Sequence, residues 1–171
     1  MHKLNKNLVL TGMMGSGKST IGKHLSDELK MQFVDVDDII EKRLSLSIAE
    51  VFKSKGEEFF RKIEKEESEK IIEKSGYVIA LGGGAFLDHA IRDKIEKNSI
   101  SVWLDLDINE LYKRINLNKK RPLLKDMSKN DFKKLNEERS KFYSLANFKI
   151  NCNSKNKSEI VNEIKKIYEN R

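Results

Sequence analysis

Five short apolar runs punctuate this chain, and between them lie longer stretches whose apolar residues recur every three or four positions. The runs are 8–11, 33–36, 77–81, 101–104 and 148–151. Each is rich in Leu, Val, Ile or Phe and is bounded by polar residues or glycine, as strands buried on both faces are. The stretches 18–30, 38–43, 57–75, 88–97, 108–116, 128–145 and 158–169 read as amphipathic helices. A parallel strand pair needs a crossover long enough to hold a helix, so strands alternating with helices predict a parallel sheet. The expected fold is therefore α/β: three layers, with a parallel sheet between helices. No internal repeat or low-complexity linker interrupts it, and the single proline, Pro122, sits in a polar loop over 116–129.

Composition narrows the picture. A chain of 171 residues suits one domain, 1–171, with a core of its own. No apolar run approaches the ~20 residues of a membrane span, and the N-terminus carries no signal-peptide core, so no membrane association is expected. Cys152 is the only cysteine, which rules out an intrachain disulfide and fits a reduced, cytoplasmic setting. The net charge is +7, but Lys and Arg alternate with acidic residues, as in 61–67, which is the pattern of solvated helix faces. The densest basic cluster, Lys119-Lys120-Arg121, is short and has no interleaved aromatics. Nucleic acid is not the expected partner; small anionic substrates are.

Candidate chemistry begins directly after the first run. Gly12-Met13-Met14-Gly15-Ser16-Gly17-Lys18-Ser19 is a complete G-x-x-x-x-G-K-S phosphate-binding loop between a strand and a helix. Its backbone N–H groups can cradle an anion, and the helix N-terminus behind it adds positive potential. Lys18 then reaches the β/γ-phosphates and Ser19 Oγ takes a Mg²⁺ position.

Asp35, Asp37 and Asp38 follow at the carboxyl end of the second run, the edge of an open sheet where ligands sit. Strand alternation puts Asp35 and Asp37 on one side, where one can serve Mg²⁺ and the other orient or deprotonate a hydroxyl. Asp37 or Asp38 can equally cap the next helix. Glu57, Arg61 and Glu64 share one helix face, so carboxylates on either side fix the guanidinium; an exposed ion pair explains the spacing as well. Gly82-Gly83-Gly84 at a strand end permits close approach of backbone to a ligand, and a plain tight turn fits it too. Lys119-Lys120-Arg121-Pro122-Leu123-Leu124, with Arg114 upstream, offers arginines that neutralise developing charge on a segment that closes over the site, or an ordinary basic loop.

In this order the motifs resemble shikimate kinase, of the nucleoside-monophosphate-kinase-like group of phosphate-loop kinases. The resemblance runs from Leu8 to about Ile150. It rests on residues 12–20, Asp35-x-Asp37-x-x-Ile40-Glu41, Ile48 to Phe52, Gly56-Glu57-x-x-Phe60-Arg61-x-x-Glu64, Gly82-Gly83-Gly84, Arg121-Pro122-Leu123-Leu124 and Arg139-x-x-x-Tyr143. The phosphate loop is common to many kinases; the ordered set of the others is far more specific.

The resemblance implies transfer of the γ-phosphoryl group of ATP to the 3-hydroxyl of shikimate, in the route to chorismate and the aromatic amino acids. It implies a five-stranded parallel sheet, a substrate-binding subdomain over about 37–64, a lid over about 114–127, and a monomer. Gly15, Ser16, Gly17, Lys18, Ser19 and Thr20 take the phosphates, with Arg114 beside adenine and Arg121 descending from the lid. Ser19 and Asp35 serve Mg²⁺. Asp37 holds the shikimate hydroxyls and is the candidate base. Arg61 and Arg139 grip the carboxylate, Glu64 braces Arg61, backbone at Gly82 and Gly83 meets the substrate, and Phe52 and Phe60 wall the pocket. Lys18, Asp37 and Arg121 form the implied catalytic set.

Three positions depart from the family pattern: Ser45 where Gly is common, Asn147 where Asp often follows Ala, and the loop 153–157, which lacks a proline near adenine. Two other readings stay open. One is a sister kinase of the same fold acting on gluconate or a nucleotide; the other is a nucleotide-binding switch without catalysis. His24 and His89 read as surface helix residues, and Cys152 and Trp103 as core.

Overall fold

The structure, a computed structural model, describes residues 6–117 and 127–171. Arg121, Pro122, Leu123 and Leu124, and most of the expected lid, lie outside the described residues.

Five strands form one parallel sheet: β1 (Asn7–Thr11), β2 (Gln32–Asp35), β3 (Tyr77–Ala80), β4 (Ser99–Asp105) and β5 (Phe148–Asn151), in the order β2-β3-β1-β4-β5. Every residue of β1 is buried, because this strand is central and covered on both faces. The edge strands β2 and β5 are only partly buried. Leu10 pairs with Ala80 on one side and Val102 on the other, so β1, β3 and β4 bring their carboxyl ends to one edge.

The helices are α1 (Lys18–Leu29), α2 (Val36–Leu44), α3 (Ile48–Ile72), α4 (His89–Asn98), α5 (Ile108–Leu117), α6 (Lys129–Tyr143) and α7 (Lys157–Glu169). One 3₁₀ turn, Ala85–Leu87, follows the triple glycine. Helix α1 packs on α7 and over β1, β2 and β3, while α4 packs on β4 and α3. The core runs through the sheet, from Leu8, Leu10 and Leu25 to Ile79, Ile91 and Ile164, each at most 1% exposed.

Two local results differ from expectation. The second strand stops at Asp35, whose side chain caps α2 by accepting from the Asp37 N–H at 3.0 Å. Asp35 and Asp37 therefore do not alternate along one strand; Asp37 lies in the first turn of a helix, and Asp35 rather than Asp37 or Asp38 is the N-cap. The helix expected from residue 57 has a further segment before it, opening at Ile48 with a capping box of Ser47 and Glu50. The two halves of α3 meet at Gly56, whose φ of 82° and ψ of 172° break the helix. Only glycine adopts that conformation readily.

Candidate active site

The phosphate loop leaves β1 at Gly12 and ends at Gly17, the left-handed N-cap of α1. No side chain caps this helix, so its first N–H groups face the loop's concavity. Lys18 Nζ donates to the carbonyl oxygens of Gly12 at 2.7 Å and Met13 at 2.9 Å, which draws its ammonium across the loop. Ser16 is buried beneath it.

Two oxygen-bearing side chains meet in the same cleft as Lys18. Ser19 Oγ donates to Asp35 Oδ2. The same carboxylate accepts from the Asp37 backbone, so the helix-capping geometry of Asp35 aims it at the start of α1. Met14, Gly15, Gly17, Lys18, Ser19, Thr20, Asp35 and Asp37 line a cleft of about 370 Å³ that continues to Gly82 and Gly83. Arg114 lines the other side, with its Nη1 donating to the Gly15 carbonyl at 3.3 Å. This volume is in the range of small-molecule sites.

Beyond Gly83 the wall is built of charge. Each of the three glycines makes room for one ionic side chain: a Cβ on Gly82 would strike the Glu64 carboxylate, and one on Gly84 the Arg61 guanidinium. On Gly83 it would stand 3.2 Å from Arg139 Nη1. The triple glycine is thus a matter of space for side chains from α3 and α6. Arg61 Nη1 donates to Glu64 Oε2 at 2.7 Å, while its contacts to Glu57 are longer, 3.2 and 3.3 Å. Phe60 stacks on Phe52 at 4.6 Å and lies 5.2 Å from the Arg61 guanidinium.

Burial dominates the electrostatics here. It pushes the Glu64 carboxyl above the usual range; Arg61 and Arg139 pull it back, and Asp37 adds to the rise. Burial alone would lower Arg61, but Glu64 and Glu57 outweigh it and hold the guanidinium firmly charged. Arg139 is 9% exposed, and its Nε finds no hydrogen-bond acceptor among the described residues. A buried guanidinium with an unmet donor is a prepared place for an anion.

The sequence-predicted residues mostly converge. Lys18, Ser19, Thr20, Asp35, Asp37, Gly82, Gly83 and Arg114 share the cleft. Arg61, Arg139, Phe52 and Phe60 do not line the cleft itself; the two arginines stand at its end behind Gly84 and Gly83. His24 is exposed, His89 pairs with Asp93 on the surface, and Cys152 and Trp103 are core. Sequence reasoning gave no role to Tyr143, which is fully buried and donates to the Gly83 carbonyl. Its spacing of four from Arg139, one helical turn, was the available signal. Met14, Leu81 and Ile115 also line the cleft and had no chemical mark to reveal them.

Among the described residues no helix is long and apolar enough to cross a membrane. A family profile described as shikimate kinase matches residues 14–169. A shikimate kinase of Sulfurihydrogenibium is 42% identical over 159 residues, covering 93% of this chain and 95% of that protein. The shikimate kinase of Acinetobacter baumannii, solved in complex with shikimate, superposes with a TM-score of 0.92 at 28% identity, covering 99% of this chain and 96% of the other. That of Aquifex aeolicus gives a TM-score of 0.79 at 36% identity, with 96% of each chain covered.

Proposed function

Because the chain belongs to the shikimate kinase family, we propose that its cleft transfers the γ-phosphoryl group of ATP to the 3-hydroxyl of shikimate. ADP and shikimate 3-phosphate are the products. The observation that carries this reading is the convergence of two guanidinium groups on the triple glycine at the end of a cleft that opens on a phosphate loop. Shikimate is a compact polyol with one carboxylate, and such an arrangement offers one end for the carboxylate and the other for the phosphates.

Arg139, with its unmet Nε, and Arg61 bind the carboxylate through charge-assisted hydrogen bonds. The 2.7 Å Glu64 contact keeps Arg61 in place, while the longer contacts to the exposed Glu57 are the ones that exchange for substrate. Asp37 accepts from the shikimate hydroxyls and orients the 3-hydroxyl, taking its proton as transfer proceeds. Gly82 and Gly83 present backbone to the ring, and Phe60 with Phe52 forms the apolar wall. Lys18 moves its ammonium from the Gly12 and Met13 carbonyls to the transferred phosphate. Arg114 flanks the adenine. On the family resemblance, Arg121 adds positive charge at the phosphates from a lid over 114–127, and 37–64 forms the substrate-binding subdomain.

Ser19 and Asp35 supply hard oxygen donors at one point of the cleft, a set that suits Mg²⁺. The described residues hold no group of three or more His, Cys, Asp or Glu fit for a metal, and Mg²⁺ in kinases needs none, being held by one or two protein oxygens and the phosphates. When bound, the ion neutralises phosphate charge and aligns the donor. The protein works in the cytoplasm as a monomer on these two small molecules, without nucleic acid or membrane.

The test is ADP release with Mg·ATP, with and without shikimate, and with gluconate and nucleoside monophosphates as alternative acceptors. Strong shikimate dependence is expected. Turnover of a control acceptor alone would remove Arg61 and Arg139 from the carboxylate role, and nucleotide binding without any turnover would favour a switch.

A further inference from the structure

Gly83 is where the acceptor side of the cleft touches the donor side. A Cβ there would stand 3.6 Å from the Gly12 carbonyl oxygen, 3.2 Å from Arg139 Nη1 and 3.6 Å from Tyr143 Oη. The Gly12 carbonyl is the same one that holds Lys18 Nζ. Tyr143 is 0% exposed and donates from Oη to the Gly83 carbonyl at 2.5 Å. The same oxygen lies 3.9 Å from Met13 Sδ, inside the phosphate loop. The Tyr143 ring packs 6.0 Å from Trp103, which pairs with Thr11 at the end of β1. On α6, Tyr143 follows Arg139 by one turn, so both face the triple glycine.

We infer that Tyr143 is a positioning residue of the transfer reaction. Its hydroxyl fixes the Gly83 peptide against the phosphate loop and seats the Arg139 face of α6 on it, so that acceptor and donor are held in one register. The inference rests on the reading of this cleft as a shikimate kinase site. Tyr143 makes no contact with the 370 Å³ cleft, so it acts only through Gly83, Arg139 and Met13. Three features suit the hydroxyl to this. Burial pushes its ionisation up to about 12, against the pull of Arg139, so it stays a donor at every working pH. Gly83 has no side chain with which to hold itself. The phenol ring, on the last residue of α6, is fully buried against Trp103 of β4, so the hydroxyl has little freedom to wander.

Tyr143→Phe removes the hydroxyl and keeps the ring. Steady-state kinetics with both substrates, thermal unfolding, and shikimate titration followed by emission of Trp103, the single tryptophan, are compared with wild type. The shikimate KM is expected to rise about five- to tenfold, as for loss of one buried hydrogen bond, while the ATP KM stays within about twofold. The Trp103-monitored shikimate affinity should fall by the same factor. Tyr143→Phe with both KM values unchanged and only a lowered Tm would leave the hydroxyl a structural hydrogen bond and overturn the inference. Equal rises in both KM values would overturn it too, as general loosening. Failure of the wild-type enzyme to use shikimate at all would instead bring down the functional reading, and this inference with it.

Discussion

Asp35 and Asp37 stand two residues apart and divide one cleft between them. Asp35 is committed on both oxygens, one to Ser19 and one to the Asp37 N–H, so it is a fixed element of the phosphate side. Asp37 faces Gly82 and Glu64 instead. Asp37→Asn keeps the volume and removes the charge, and turnover should fall about 10²- to 10⁴-fold, the usual worth of a positioned acid or base. Nucleotide affinity, measured by titration, should stay at the wild-type value; a parallel loss would move Asp37 to the phosphate side. Arg139→Ala removes a charge-assisted contact, so the shikimate KM should rise about 10- to 100-fold while the ATP KM barely moves. Equal effects on both substrates would place Arg139 at the nucleotide. The residue types were legible in the sequence because each carries its chemistry in its name. Their geometry was not: strand alternation put both aspartates on one side, whereas a helix begins at Val36 because Asp35 caps it.

Helix α3 carries Arg61 and Glu64, and the break at Gly56 sets its direction. A Cβ at position 56 would meet nothing within 4 Å, so the cost of Gly56→Ala is purely conformational. It should destabilise by about 1–3 kcal/mol. That lowers Tm by roughly 2–10 °C in a chain of this size. Shikimate KM should rise as well, since straightening the break re-aims the segment that follows; an unchanged Tm would mean the backbone relaxes freely there. Ser45 closes α2 at φ 52°, the left-handed cap position that glycine fills without strain. Ser45→Gly should therefore stabilise by about 1 kcal/mol, seen as a Tm higher by roughly 2–4 °C, without altering either KM. A lower Tm would show that the flexibility glycine adds to the unfolded chain outweighs the relieved strain. At this scale the sequence was read well where a buried run or a long amphipathic period dominated, as in β1 and in α3 beyond Glu57. The segment from Ile48 to Lys55 escaped because its eight residues are too few for a clear period. Yet its start was written in Ser47-x-x-Glu50, the capping box that the structure closes with bonds of 2.7 and 3.2 Å.

Across the whole molecule, the site is assembled from Gly12 to Tyr143, by loops at the carboxyl edge of three adjacent strands and by two helices that lean on them. Phosphate loop, aspartates, α3 arginine, triple glycine and α6 arginine are brought together only by the order β2-β3-β1-β4-β5. Periodicity could announce a parallel sheet but not that order, which depends on how each helix packs across the faces. Since no segment of the unfolded chain holds two of these partners at once, ligands bind the folded state alone, and their binding energy adds fully to its stability. At a hundredfold excess over its dissociation constant, a ligand contributes about 2.7 kcal/mol, so ADP alone and shikimate alone should each raise Tm by roughly 5–10 °C. Arg61→Ala separates the two halves. It takes away the guanidinium proposed to hold the carboxylate, which stands behind Gly84, and leaves the phosphate loop untouched. The ADP shift should persist in that variant while the shikimate shift shrinks to a small fraction of the wild-type value. If both shifts were lost together, donor and acceptor would not occupy opposite ends of one cleft, and the division of labour between Lys18 and the arginine pair would have to be redrawn.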